Sequence, residues 1–329
     1  MIGQSPFIRR IKPFLLKVAA VDTHVLITGE TGTGKDLTAQ YIHQQSARGS
    51  KPLIPVNCAA LPDGLLESEL FGYERGAFTG ANTNYLGKLR LADGGTVFFD
   101  EIGDMSPYAQ AKILRVIESK EVYPLGGKRS ISLDIRIIAA TNQDLERLVS
   151  ENKFRRDLYF RLNVARIRLP PLRERKEDIP GLVHHFVQEL NAQLGRAING
   201  FTDEAMELLL RHDWPGNIRE LKNWLEAIFI DPPLERIAIS DLLVCCRDTA
   251  LDSIRQDHQI KEHATTIERE LLLSTLCSVK WNKSKAAEQL HWSRMTLYRK
   301  MDKYHIREKS PRAPSGKKCN IIGFHMTDL

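Results

Sequence analysis

The sequence predicts a doubly wound parallel-sheet α/β domain, then an α-helical subdomain, then a C-terminal all-α helix-turn-helix domain. Three observations predict it. Short apolar runs at 25–27, 53–56, 97–99 and 135–140 alternate with helical patterns such as 109–118, as buried parallel strands and their crossover helices do. After about Arg173 the runs stop, and amphipathic patterns follow at 178–194, 202–211 and 217–229, with Thr202 and Asn217 placed as caps. Residues 280–329 carry 12 Lys/Arg against 4 Asp/Glu, a net +8, in a chain whose whole charge is +6. The basic excess is therefore C-terminal, which points to a nucleic-acid-binding end.

Taken in order, the first element is a strand, 23–28, followed by Gly29-Glu30-Thr31-Gly32-Thr33-Gly34-Lys35-Asp36 and a helical pattern through Leu37, Ala39, Tyr41 and Ile42. Strand, glycine loop, lysine and helix form a phosphate cradle. Backbone N–H groups and the helix N-terminus face the anion, and Lys35 reaches the β- and γ-phosphates. Asp36 stands where Ser or Thr usually offers magnesium a hydroxyl, so the ion must lean on other carboxylates or water. The run 94–101 supplies them, as an apolar strand ending in Asp100 and Glu101. Asp100 is the expected magnesium partner and Glu101 the expected base that orients the attacking water.

Between loop and acids lies Gly76-Ala77-Phe78-Thr79-Gly80-Ala81, an aromatic tip bounded by glycines. Glycines let such a hairpin swing, and an exposed Phe at its end suits a partner. Further along, the strand 137–142 ends in Asn142, which could sense the γ-phosphate or position water. Arg155, Arg156 and Arg161 cluster at 154–163, where Arg155 and Arg161 could reach a neighbouring subunit's phosphate. Arg219 opens a helix after a Trp-Pro-Gly-Asn turn. Each feature also has a plain structural reading: an empty glycine turn, acidic helix caps, a turn asparagine, a solvated arginine face, an exposed hairpin. Their order along one chain favours the chemical reading.

The remaining segments are a less regular linker at 231–263, a helical unit at 264–306 and a disordered tail at 307–329. Within the helical unit, 267–279 and 283–290 are two helices, His291 and Trp292 make a turn, and Ser293 caps a third helix. Leu297 and Met301 face inward there, leaving Ser293, Arg294, Thr296, Arg299, Lys300 and Lys303 for DNA, the pattern of a major-groove reader. No apolar run approaches the roughly 20 residues of a membrane span, and 1–20 is too interrupted by charge for a signal peptide. Cys58, Cys245, Cys246, Cys277 and Cys319 have neither metal-ligand nor disulfide-framework spacing, and read as reduced thiols of a cytoplasmic protein.

Together GETGTGKD (29–36), VNCAAL (56–61), ELFGYERGAFTGA (69–81), ADGGTVFFDEI (92–102), AATN (139–142), FRRDLYFRLNV (154–164), LPPLRER (169–175) and WPGNIREL (214–221) resemble one family. It is the bacterial sigma-54-dependent enhancer-binding proteins, AAA+ ATPases with a Fis-type helix-turn-helix. The resemblance spans roughly 2–229 and resumes at the C-terminal helices. It implies an AAA+ α/β subdomain at 1–172 and a helical lid at 173–230. It implies that Asp36 is normal, that Asn57 holds Glu101 in a switched-off rotamer, and that Arg155 and Arg161 are trans-acting fingers. Asn142 and Arg219 become the two sensors, and 76–81 becomes the loop that contacts sigma-54. The site would form between subunits of a ring, a hexamer, either homo-oligomeric or mixed with a related activator. Family members commonly have Gly with an apolar residue where His291 and Trp292 stand, and the stretch 315–329 matches nothing in the family.

The expected activity is ATP- and magnesium-dependent remodelling of sigma-54 RNA polymerase closed complexes from an upstream DNA site. The alternatives are a DNA-binding regulator whose ATPase domain serves only oligomerisation or nucleotide sensing, and a remodeller of some other protein. Most members of the family carry a receiver or ligand-sensing domain ahead of this region. None fits here, as in the phage-shock and hypersensitive-response activators, so either a separate regulatory protein controls the activity or the chain is incomplete.

Overall fold

A parallel sheet of five strands carries the N-terminal part of the chain: β1 (Val25–Thr28), β2 (Leu53–Asn57), β3 (Thr96–Asp100), β6 (Arg136–Thr141) and β7 (Ala165–Arg168), in the order β2-β3-β6-β1-β7. The computed structural model of the protein describes residues 2–60, 62–230, 236–238, 269, 272–279, 281–290, 294–304 and 306. They divide into two compact units, Met1–Asp248 and Thr249–Leu329. The expected linker lies mostly, and the expected tail wholly, outside the described residues. Within the linker stretch, buried Ile237 pairs through its backbone with Gly200 and Thr202.

Helices α1 (Pro6–Ala20), α2 (Lys35–Gln44), α3 (Asp63–Phe71), α4 (Lys88–Leu91), α5 (Pro107–Ser119), α6 (Leu145–Ser150) and α7 (Arg156–Leu162) surround the sheet. Alternation along the strands decides which helix meets which face. Val97, Phe99, Ile137 and Ala139 enter one core with Leu66 and Leu70 of α3, Ile113 of α5 and Leu158 of α7. Phe98, Ile138 and Ala140 enter the other with Leu15 and Val18 of α1 and Ile42 of α2. Both faces are covered, which is why these strands read as unbroken apolar runs. Each of the larger side chains, the Val, Leu, Ile and Phe, contributes about 1.5–3 kcal/mol on burial.

Several elements were not anticipated. In α1 the charges Arg9, Arg10, Lys12 and Lys17 interrupt the apolar pattern, yet Ile8, Leu15, Val18 and Ala19 are buried. Its last turn is closed from afar: Arg136 donates to the carbonyls of Val18, Ala19 and Thr23 at 2.7, 3.3 and 3.1 Å. Strand β7 is an edge strand in which Arg166 and Arg168 face solvent, so half its positions are basic. A short antiparallel pair, β4 (Glu121–Val122) and β5 (Ile131–Ser132), carries the loop 123–130.

The lid is built from α8 (Ile179–Leu194), α9 (Asp203–Arg211) and α10 (Asn217–Ile228). Thr202 caps α9, accepting from Ala205 N–H at 3.3 Å. Trp214 is its anchor, 1% exposed, with the indole N–H on Leu209 O at 2.8 Å and edge contacts to His212 and Trp224. Asn217 is not the cap it was expected to be. The cap position falls on Gly216, and Asn217, fully buried at φ 55°, turns its amide toward the phosphate loop. Its Oδ1 accepts from Leu172 N–H at 2.7 Å, and its Nδ2 donates to Thr31 O at 3.0 Å and Glu30 Oε2 at 3.2 Å. Ile218 N–H donates to Gly32 O at 2.9 Å. A Cβ on Gly32 would lie 2.2 Å from Gly216 O, so glycine alone permits this approach.

In the second unit, helices Lys283–Gln289 and Arg294–Lys303 pack with helical residues 272–278 around Leu272, Leu276, Ala286, Ala287, Leu297, Met301 and Ile306. The inward placement of Leu297 and Met301 agrees with their spacing. Ser293 and the turn His291-Trp292 lie outside the described residues.

Two outcomes follow from this packing. Replacing Asn217 by Ala strands the Leu172 N–H and forces a left-handed φ on alanine. Chemical denaturation should show a loss of about 2–4 kcal/mol, and an unchanged midpoint would refute the bridging role. Burial holds the imidazoles of His24, His43 and His212 below their usual pKa. His43 is bonded to Thr96 Oγ1 and Lys51 O, and His212 Nδ1 accepts from Trp214 N–H. The unfolded chain then takes up protons first, so stability should fall as pH drops below about 6.5. Denaturation midpoints at pH 7.5 and 5.5 check this, and equal midpoints would contradict it.

Candidate nucleotide site

Strand order assembles the site. With β6 lying between β1 and β3, the loop after β1, the acids ending β3 and the asparagine after β6 share one sheet edge. Gly29 N–H donates to Thr141 O at 3.2 Å, which fixes the start of the loop. Gly32 and Gly34 take φ 79° and 95°, backbone that favours glycine. Thr33 Oγ1 donates to Glu30 O at 2.7 Å and tightens the turn. No side chain caps α2, so its first N–H groups remain for an anion. Asp36 is exposed in its first turn.

Lys35, 6% exposed, donates to Gly29 O at 3.0 Å and Glu30 O at 3.4 Å and pairs with Glu101 Oε1 at 3.3 Å. Glu101 stands at φ 52°, a backbone most residues avoid. Its Oε2 accepts from Asn142 N–H at 2.9 Å, while Asn142 Nδ2 donates to Thr31 Oγ1 at 3.0 Å. The loop lysine, both acids and Asn142 are therefore brought together. Burial, and then the charge of Glu101, raises the carboxyl of Asp100 above its usual pKa. The same burial pushes the nearby Cys58 thiol up to about 12, so it is inert as a nucleophile.

Other expected residues stand apart from this cluster. Asn57 Oδ1 accepts from Ala59 N–H at 2.9 Å, and Glu101 is held by Lys35 and Asn142 rather than by Asn57. Arg155 makes a bidentate pair with Asp157 at 2.7 and 3.1 Å, and Arg161 pairs with Glu118 at 3.2 Å. Among the described residues neither bonds to the phosphate loop of its own chain. Arg219 is exposed on α10, with its Cβ 3.1 Å from where a Cβ on Gly32 would stand.

The tip 76–81 is a closed hairpin, with Gly76 N–H on Ala81 O at 2.9 Å and Ala81 N–H on Phe78 O at 3.1 Å. Gly76 and Gly80 take φ 84° and 102° in open space. Phe78 is 46% exposed and is not wholly free, since its ring sits edge-on to Tyr73 at 5.0 Å. Thr79 is exposed, whereas Ala81 is buried and closes the hairpin rather than offering a contact. The loop 123–130 braces the base of the tip: Glu74 N–H donates to Leu125 O at 3.0 Å, Leu125 N–H to Gly72 O at 2.9 Å, and Ala77 fills the space beside Gly126. The glycine pair 126–127 was the sequence signal for this brace.

Sequence reasoning also missed two arginines. Arg173 grips Glu30 through two bonds of 2.8 and 2.6 Å and holds its carboxyl below the usual range. Arg175, buried, donates to Thr33 O at 2.9 Å from beside Asp178, whose carboxylate accepts from Gln4 N–H, Ser5 N–H and Ser5 Oγ. In the second unit Arg299 and Lys303 are exposed, Thr296 and Lys300 half-buried, and Arg294 opens the helix.

No helix among the described residues is long and apolar enough to cross a membrane. Residues 1–168 match the sigma-54 interaction domain, 173–259 the AAA+ ATPase lid domain and 264–304 the bacterial regulatory protein, Fis family. The transcriptional regulatory protein ZraR of Escherichia coli (strain K12) is 45% identical over 303 residues, 92% of this chain and 68% of ZraR. The DNA-binding transcriptional regulator NtrC of Salmonella typhimurium is 43% identical over 327 residues, covering 92% of this chain and 69% of NtrC. Among solved structures, NtrX from Brucella abortus in complex with ADP superposes with a TM-score of 0.69 at 33% identity, over 93% of this chain and 70% of NtrX. The chain belongs to the sigma-54-dependent transcriptional activators, with an AAA+ ATPase domain, its helical lid and a Fis-type DNA-binding helix-turn-helix.

Proposed function

We propose that the protein binds and hydrolyses ATP with magnesium. Through the tip at 76–81, hydrolysis would drive remodelling of sigma-54 RNA polymerase closed complexes into open ones. The observation that carries this reading is the convergence of Lys35, Asp100, Glu101 and Asn142 on one sheet edge beside the uncapped N-terminus of α2. NtrX, 33% identical, is described in complex with ADP and with ATP, which supports nucleotide binding here.

Burial, then the charge of Glu101 and more weakly that of Asp36, raises the proton affinity of Asp100, with Lys35 opposing them. That surplus of oxygen anions suits a hard cation. Among the described residues no cluster of three or more metal ligands stands ready, so the ion needs phosphate oxygens as well, as magnesium does in such sites. Asp100 would hold magnesium, which would supply charge neutralisation at the phosphates.

In the arrangement described, Lys35 and the Asn142 N–H both hold Glu101. When Lys35 turns to the β- and γ-phosphates, Glu101 is released to orient water and accept its proton. Asn142 then bridges loop and γ-phosphate, Asn57 holds the freed Glu101 in a switched-off rotamer until water attack, and Arg219 approaches from the lid. Arg155 and Arg161, paired with acids of their own chain, serve a neighbour's phosphate, so the working form is a ring, a hexamer of one chain or of two related chains. The helix-turn-helix holds an upstream DNA site with Ser293, Arg294, Thr296, Arg299, Lys300 and Lys303.

Glu101→Gln should reduce ATP turnover by at least about 100-fold while titrations still show nucleotide binding. Unchanged turnover would remove Glu101 as the base. Thr79→Ala should keep ATPase activity but abolish transcription from a sigma-54 promoter in a purified system. Persistent activation would move the contact away from the tip.

A further inference from the structure

The helix Arg294–Lys303 carries one feature that charge does not account for. Met295 is 79% exposed, a large apolar side chain in the first turn of the helix. Leu297 and Met301, at 0% and 6% exposure, mark the face turned to the core. At 3.6 residues per turn Met295 lies opposite them, with Tyr298 and Arg299 one turn further along its own face. Tyr298 is 48% exposed, and Lys283 Nζ of the preceding helix lies 5.4 Å from the centre of its ring. The outward face is therefore an apolar spot edged by an aromatic ring and cations.

We propose that Met295 is a specificity-determining residue that reads the C5 methyl of thymine in the major groove, with Tyr298 and Arg299 flanking it. The inference rests on the helix-turn-helix reading of this unit. The N-terminal residues of the second helix of such a motif face base edges, and thymine is the one base that presents a methyl there. A cytosine or purine edge at that place offers polar atoms that a thioether chain cannot satisfy. Methionine is flexible and polarizable, so it can cover a methyl without a fixed rotamer. Lys283 and Arg299 are placed for phosphates on either side, contacts that position the helix without naming a base.

The test uses the full chain and a duplex selected by it from a random library. That duplex is prepared with thymine and with deoxyuracil, which lacks only the C5 methyl. The wild-type chain should prefer the thymine form about fourfold for each contacted methyl. Met295→Ala should bind both forms alike, near the wild-type affinity for the deoxyuracil form, and Met295→Leu should keep the preference. Because Met295 is exposed, neither variant disturbs the core. Equal wild-type binding to both forms overturns the assignment, as does a thymine preference undiminished in Met295→Ala. Proportional weakening of Met295→Ala on both forms overturns it too, and places the residue in a contact between chains. Failure to select any sequence overturns the helix-turn-helix reading beneath it.

Discussion

The phosphate loop and the lid behave as one piece because a single buried amide is shared between them. Asn217 uses its carbonyl oxygen on Leu172 N–H and its NH₂ on Thr31 O and Glu30. The bond to Leu172 is buried and its loss is costly, and the other two reach the loop, so the lid cannot drift while the loop stays put. Arg173 on Glu30 and Arg175 on Thr33 O repeat the coupling from the chain just before the lid. Arg175 sits beside Asp178, which also receives the first residues of α1. Loop, lid and N-terminal helix thus meet within a few residues of one another.

That joint frames the electrostatics of the site. Lys35 is the cation at the centre, and it answers both Glu101 and two loop carbonyls. Asp100 gains little from it, and burial leaves its carboxyl with raised proton affinity. The cluster is poised for added positive charge. The exposed pairs of Arg155 with Asp157 and Arg161 with Glu118 are different, since water screens them and exchanging one partner for another costs little.

How much of this was legible in sequence depended on whether the signal was local. β1, β3 and β6 announced themselves because both their faces are buried, Asp100, Glu101 and Asn142 because they end or follow such strands, and Lys35 because it closes a glycine loop. β7 did not, because an edge strand with Arg166 and Arg168 outward shows half an apolar pattern. α1 was hidden by charges on its solvent face. Asn217 looked like a cap, since an asparagine before an amphipathic run usually is one. Its partners lie 45, 186 and 187 residues away, and no local pattern encodes such a contact. The bracing of the tip by the loop 123–130 is as remote in sequence, and the glycine pair 126–127 was its one local trace.

The ring contact between Phe78 and Tyr73 divides the tip into a firmly held base and a lightly held end. An edge-to-face aromatic pair contributes about 0.5–1.5 kcal/mol, little more than thermal energy. The hairpin beneath it is closed by backbone bonds of its own and braced by the loop 123–130. The ring can therefore exchange Tyr73 for another apolar surface at small cost, without the hairpin opening.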